Sequence, residues 1–173
     1  VLCVLKQFHY NIEEMLRDKA PLFLLLENIQ DPGNLGTMLR TGEGAGVSGI
    51  IMSRDTVDLY NPKVIRSTMG SIYRVPFYYA DDFAAAVHQV QRAGVSVYAA
   101  HLRGKNSYAC QDYTKGTAFL IGNEGNGLRE ETAELADCYI RIPMEGKVES
   151  LNAAVASSIL MYEAHRQRAT IEK

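Results

Sequence analysis

The sequence predicts an α/β domain in which a mostly parallel sheet is covered by helices on both faces. Three observations carry the prediction. Short apolar runs bounded by turn residues alternate with helix-length stretches from Pro21 onward, the pattern of βα units whose strands are buried on both sides. The length, 173 residues, suits one domain with a sizeable core rather than two. An apolar fraction of 47% and a charged fraction of 22% describe a globular chain, and no apolar run approaches the roughly 18 residues of a membrane span.

Residues 1 to 20 read as a lead-in to a domain spanning 21–173. Val1-Leu2-Cys3-Val4-Leu5 has the character of a buried strand end begun upstream, the remnant of a preceding domain, and Ile12, Met15 and Leu16 share one face of a short helix. Leu22 to Leu26 is the first strand. After the turn Asp31-Pro32-Gly33, Asn34 is placed to cap a helix from Leu35 to Ala45. Gly49 to Met52 reads as the second strand, and Pro62 suits the first turn of a helix running to Met69. The strand Val75 to Tyr79 precedes a helix from Asp81 to Ala93, capped by Asp81 or Asp82. Val95 to Ala100 and Ala118 to Ile121 are further strands, the second followed by a helix from Leu128 to Leu135. Cys138 to Ile142 is the last strand; the chain then bends at Pro143 and enters a helix from Asn152 to Arg168, capped by Ser150 or Asn152. Val155, Ile159 and Tyr162 share a face of this helix, and its small residues leave two readings open, core packing or close approach of two copies across a dimer interface.

Composition excludes several classes of function. A formal charge of −2 argues against nonspecific polyanion binding by the whole surface. Local basic residues remain candidates for RNA contact: Lys63, Arg66, Arg74, Arg103 and Lys105. Three cysteines without a CxxC pair suggest neither a disulfide framework nor a zinc site, and a reducing, cytoplasmic compartment fits best. His9, His88, His101 and His165 lack metal-ligand spacing and read as surface or core-edge residues, so no metal is expected.

Three segments carry chemistry. Asn28 to Arg40 is first a turn, but Arg40 lies on a helix holding Gly36, Gly42, Gly44 and Gly46. Interior glycines cost up to about 1 kcal/mol each against Ala, which suggests a helix lying close to something, with Arg40 able to grip a phosphate or a ribose. Gly122-Asn123-Glu124-Gly125-Asn126-Gly127 sits between a strand and a helix but has neither phosphate-loop spacing, and Glu124 would repel a phosphate. Glu124 is either the solvated residue of a plain turn or a carboxylate positioning a polar reactant. Ile142-Pro143-Met144 ends its strand with a residue that has no N–H, freeing backbone groups for a ligand, and Met144 and Leu151 read as pocket wall.

Taken in order and spacing, Asn34-Leu35-Gly36 with Arg40, Gly122 to Leu128, and Ile142-Pro143-Met144 through Ser150-Leu151-Asn152 resemble the three signature motifs of the SpoU-type (TrmH-like) RNA ribose 2′-O-methyltransferases of the SPOUT superfamily. The resemblance covers about residues 21 to 168. It implies an enzyme using S-adenosylmethionine, a C-terminal trefoil knot and a homodimer with shared active sites. It also implies roles: Arg40, Glu124 and Asn152 as the reaction centre, Gly122, Ile142, Met144 and Leu151 as cofactor contacts, and Asn34 and Ser150 toward substrate. The lead-in would then be the remnant of an N-terminal RNA-binding domain, and the favoured substrate ribosomal RNA. Transfer RNA is the near alternative, and a noncatalytic RNA-binding factor of the same fold the distant one.

Overall fold

Five consecutive apolar residues without polar alternation can be buried only if both faces of their strand are covered. Strand β1 (Leu22–Leu26) meets that condition: Leu22, Leu24 and Leu26 face one helical layer, Phe23 and Leu25 the other, and none is exposed. In the computed structural model, which describes residues 6–171, β1 lies within a seven-stranded sheet. The other strands are β2 (Gly49–Ser53), β3 (Phe77–Ala80), β4 (Ser96–Ala100), β5 (Asn106–Ser107), β6 (Thr117–Ile121) and β7 (Cys138–Arg141). Their order is β3-β2-β1-β6-β4-β7-β5, and every pairing is parallel. Leu24 therefore sits opposite both Ile50 and Phe119.

Helices cover both faces. On one side lie α2 (Pro32–Ala45), α3 (Pro62–Ser67) and α6 (Ala153–Ile171), which bury Leu35, Met38, Leu39, Val64, Leu160 and Met161 against β1. On the other lie α1 (Ile12–Met15), α4 (Phe83–Arg92) and α5 (Glu130–Ala133), contributing Ile12, Met15, Val87, Val90 and Ala133. The apolar start Val1 to Leu5 falls outside the described residues.

Local chemistry moved several boundaries. Helix α2 begins at Pro32, not Leu35, because Asp31 is the cap: its carboxylate accepts the Asn34 N–H at 2.7 Å while Pro32 fills the first turn. The expected cap, Asn34, thus keeps its side chain for other partners. Helix α5 is shorter than Leu128 to Leu135, since Gly127 takes a left-handed φ of 70° and the Arg129 N–H is drawn to Glu27. Strand β3 starts at Phe77 because the Val75 N–H is still tied to the Ser71 carbonyl, four residues back, at the end of the 3-10 helix Ser71–Tyr73. Asp82 rather than Asp81 caps α4.

Strand β5 escaped the sequence reading because Asn106 and Ser107 form no apolar run. Its position matters, for β7 runs between β4 and β5 rather than at an edge. Helix α6 then returns over the first layer, and Arg168 near its end donates to the carbonyls of Tyr113, Ala20 and Lys115 at 2.8–2.9 Å. The core face of α6 is Ala154, Ser157, Leu160, Met161 and Ala164. The Val155, Ile159 and Tyr162 face is not core: Val155 and Tyr162 are each 49% exposed.

Candidate active site

In a parallel sheet the carboxyl ends of the strands share one edge, where chain reversals leave backbone groups for ligands. Here β4, β6 and β7 end around a cavity of about 270 Å³. Gly122, Ile142, Met144 and Leu151 line it, together with Ile121, Ile140, Glu124 and Ser150. Pro143 has no N–H, and among the described residues the N–H groups of Ile142, Met144 and Leu151 meet no protein acceptor. The site thus offers an apolar wall with several backbone donors.

The loop after β6 is closed on itself. Asn123 and Gly127 exchange two backbone hydrogen bonds at 3.0 and 2.9 Å, and the Asn123 carboxamide oxygen accepts the N–H groups of Gly125 and Asn126. Its amide nitrogen donates to the Asn28 carbonyl at 2.8 Å, which fastens the loop to the end of β1. A Cβ on Gly122 would overlap the backbone of Gly127 and Leu128, so the first glycine is required by the closure. The N–H groups of Asn123, Gly125, Asn126 and Gly127 are consumed internally, which leaves no cradle of backbone donors for a phosphate.

Glu124 is exposed, yet its carboxylate is held by three donors. One carboxylate oxygen accepts the Asp31 N–H and the Asn34 amide, both at 3.0 Å, and the other accepts the Gln30 N–H at 3.1 Å. The Asn34 oxygen in turn accepts the Asn152 amide at 2.9 Å, while the Asn152 oxygen caps α6 by accepting the N–H groups of Ala154 and Val155. One chain, Glu124 to Asn34 to Asn152, therefore joins the three segments singled out in the sequence. Capping α6 and holding Asn34 are both done by Asn152, through different atoms.

Partial burial pushes the Glu124 carboxyl pKa up, but the Asn34 amide and the N–H groups of Asp31 and Gln30 outweigh it, and the net shift is downward. A lowered carboxyl pKa stabilises the fold above the unfolded value, about 4.3 for Glu, and that contribution is lost as pH falls through the folded value. The Asn34 side-chain amide resonances are accordingly expected to hold steady from pH 8 to 5 and to move only below about pH 4.3. NMR titration checks this, with Glu124→Gln removing the transition.

Arg40 stands apart. It is exposed on α2, lies outside the cavity lining, and its side chain makes no hydrogen bond among the described residues. Ser150 lines the cavity without a hydrogen bond to Asn152 among the described residues. Of the basic residues, Arg74 pairs with Glu43 and Arg103 with Glu130, while Lys63, Arg66 and Lys105 are exposed.

Three participants were missed in the sequence. Buried Glu27, just after β1, accepts the Arg129 N–H at 2.8 Å and the Thr132 hydroxyl at 2.5 Å, anchoring α5 beside the loop; a lone acid ending an apolar run was its signal. Gln30 bridges Asn28 and the Asp55 carbonyl. His101, classed as a surface or core-edge residue, lines the cavity at the end of β4, and burial, followed by Arg103, lowers its pKa.

This parallel sheet is shared with SpoU methyltransferases of known structure. The structure superposes on AviRb from Streptomyces viridochromogenes with a TM-score of 0.87 and 30% identity, covering 92% of this chain and 64% of that one. An rRNA methyltransferase from Sinorhizobium meliloti, solved with AdoMet bound, matches with a TM-score of 0.79 and 39% identity over 86% of this chain and 57% of that one. The SpoU rRNA Methylase family matches residues 21–162, and the chain belongs to that family.

Among curated relatives, the 23S rRNA (guanosine(2553)-2′-O)-methyltransferase RlmP of Bacillus subtilis is 37% identical over 139 residues, 80% of this chain and 56% of its own length. The 23S rRNA (guanosine-2′-O-)-methyltransferase RlmB of Xanthomonas campestris is 35% identical over 85% of this chain and 59% of its own. The chain thus spans less than two thirds of the length of these relatives.

Proposed function

We propose that this chain is the catalytic domain of an S-adenosylmethionine-dependent methyltransferase acting on a ribose 2′-OH, with ribosomal RNA as the favoured substrate. The observation that carries the reading is the Glu124–Asn34–Asn152 chain at a cavity walled by apolar residues and unpartnered backbone donors. Relatives that are named as 23S rRNA methyltransferases, and structures solved with AdoMet, support it.

The residues present fit the cofactor. Gly122, Ile142, Met144 and Leu151 would hold it through backbone groups and apolar contact, and the ionised Glu124 nearby suits a cation. When bound, S-adenosylmethionine supplies an electrophilic methyl group on a positively charged sulfur. The protein must bring the 2′-OH into line and draw its proton away. Glu124 and Asn152 orient the hydroxyl, Asn34 keeps both in register, and Ser150 supports the RNA phosphate. Guanidinium groups keep their proton, so Arg40 acts by holding the adjacent phosphate and polarising the hydroxyl, with much of the rate coming from proximity.

The position of Arg40, outside its own cavity, is consistent with delivery to the partner subunit of a homodimer. The exposed Val155 and Tyr162 on α6 support such an interface. A trefoil knot is consistent with the insertion of β7 between β4 and β5. Residues 1–20 would be the remnant of an upstream RNA-binding domain, and a ribosomal RNA substrate puts the enzyme in the cytoplasm. Among the described residues no helix is long and apolar enough to cross a membrane.

Calorimetry with S-adenosylmethionine and with ATP tests the reading. Binding of the first and not the second is expected, and no binding of S-adenosylmethionine at millimolar concentration overturns it. Mapping the 2′-O-methyl groups missing from ribosomal and transfer RNA of cells lacking the full-length protein separates the two substrates.

A further inference from the structure

A second cavity, of about 470 Å³, lies alongside the edge strand β3 and past the end of β2, and nothing in the proposed reaction uses it. Its walls are Phe8 and Tyr10 from the lead-in and Tyr60 and Tyr78 from the domain, with Arg54 and Asp58 at its polar margin. Phe8 lies parallel to Tyr10 at 6.0 Å between ring centroids and is 40% exposed; its N–H is held by the Tyr60 hydroxyl at 2.9 Å. The loop bearing Asp58 is fixed from below. The Tyr79 hydroxyl donates to the Val57 carbonyl and accepts the Leu59 N–H, at 2.7 and 2.8 Å. One Asp58 oxygen accepts the Tyr60 N–H at 2.9 Å, and the other has no partner among the described residues.

Aromatic faces flanked by a carboxylate and a guanidinium fit an unpaired nucleotide. Bases stack on aromatic rings whatever their sequence, whereas a carboxylate accepts from the exocyclic amine of a base such as cytosine and finds no donor there on the edge of uracil beyond its ring N–H. The Arg54 guanidinium is already paired with Asp81 at 2.7 Å, whereas an apolar peptide would leave the second Asp58 oxygen desolvated without a partner. The cavity is also tied to the reaction centre. Arg54 and Thr56 in its lining flank Asp55, whose carbonyl accepts the Gln30 side chain, and the Gln30 N–H binds Glu124. With strands about 4.8 Å apart, the cavity lies about 10–15 Å from the loop after β6, and at about 3.4 Å per stacked nucleotide that distance spans three or four nucleotides.

We propose that this cavity is a base-binding subsite that captures an unpaired, amine-bearing base of the RNA a few nucleotides from the ribose being methylated. The proposal rests on the functional reading above. Fluorescein-labelled hexacytidylate and hexauridylate, titrated into the full chain and followed by anisotropy, test it. Hexacytidylate is expected to bind at least about fivefold tighter than hexauridylate. Phe8→Ala should weaken hexacytidylate at least about fivefold, the low end for losing one stacked base, and Asp58→Asn, which keeps the acceptor for the Tyr60 N–H, should erase the cytosine preference. Affinity for S-adenosylmethionine should stay within about twofold in both, since neither residue touches its cavity. Equal binding of the two hexamers by the unaltered protein, no binding of either, or full binding by Phe8→Ala overturns the subsite. The functional reading fails separately, if the unaltered protein binds no S-adenosylmethionine.

Discussion

Arg40→Ala is expected to lower the rate of methyl transfer by roughly 10²- to 10³-fold, the effect of removing one preorganised donor from a reaction centre, while affinity for S-adenosylmethionine stays within a few-fold. The separation follows from geometry: Arg40 is exposed on α2 and lies outside the cavity of its own chain. Single-turnover transfer to RNA, paired with calorimetry, measures both quantities. Arg40→Lys restores only part of the rate, because an ammonium keeps the charge but not the planar fork that grips a phosphate. Mixing decides which subunit uses the side chain. If each site takes Arg40 from the neighbouring subunit, equal amounts of inactive Arg40→Ala and Glu124→Ala proteins, once exchanged, should recover about a quarter of full activity, since half the dimers then hold one intact site of two. No recovery would place Arg40 with its own chain's Glu124. Unimpaired transfer by Arg40→Ala would remove it from the chemistry.

Gly122→Ala should have the largest effect on cofactor binding, weakening it about ten- to a hundredfold, the range expected when one methyl group is forced into a filled space. The added carbon would overlap the backbone of Gly127 and Leu128. Backbone cannot swing aside as a flexible side chain can, so the two-bond closure between Asn123 and Gly127 must open. The loop that lines the cavity then loses its shape. Gly125→Ala is the control: its Cβ would meet only the Asn123 carboxamide oxygen, at 3.6 Å, an ordinary contact, and affinity should stay within about twofold of the parent. Equal losses in the two variants would mean that loop flexibility, not closure, governs binding.

How far these features could be read from the sequence depended on whether the cause was local. Apolar runs such as Leu22 to Leu26 announce doubly covered strands, and Pro62 announces a helix start, because the physics acts within a few residues. The three glycine- and proline-bearing segments were equally visible. Their joining was not: Asn34 reaches Glu124 across 90 residues and Asn152 across 118, and no periodicity encodes such pairings. Asn34 was misplaced as a helix cap because Asp31, three residues earlier, satisfies the same geometric need. The bridging role became visible only once that need was assigned elsewhere. Strand β5 has no apolar signature, being two polar residues recruited by β7. Glu27 and His101 are typical surface residue types whose burial is decided by α5 and by the end of β4.

The insertion of β7 between β4 and β5 also bears on the order of synthesis. Until residues 138–141 emerge, the β4 side facing away from β6 has no strand to pair with, and an unpaired parallel strand edge is a template for association with other chains. Most of the apolar wall of the cavity proposed for the cofactor, Ile140, Ile142, Met144 and Leu151, comes from the same late stretch, and the Arg168 clamp later still. A ribosome translating this stretch therefore carries a domain whose cavity stays unfinished until residues 140–156 have left the exit tunnel, and whose β4 edge stays adhesive until β7 arrives.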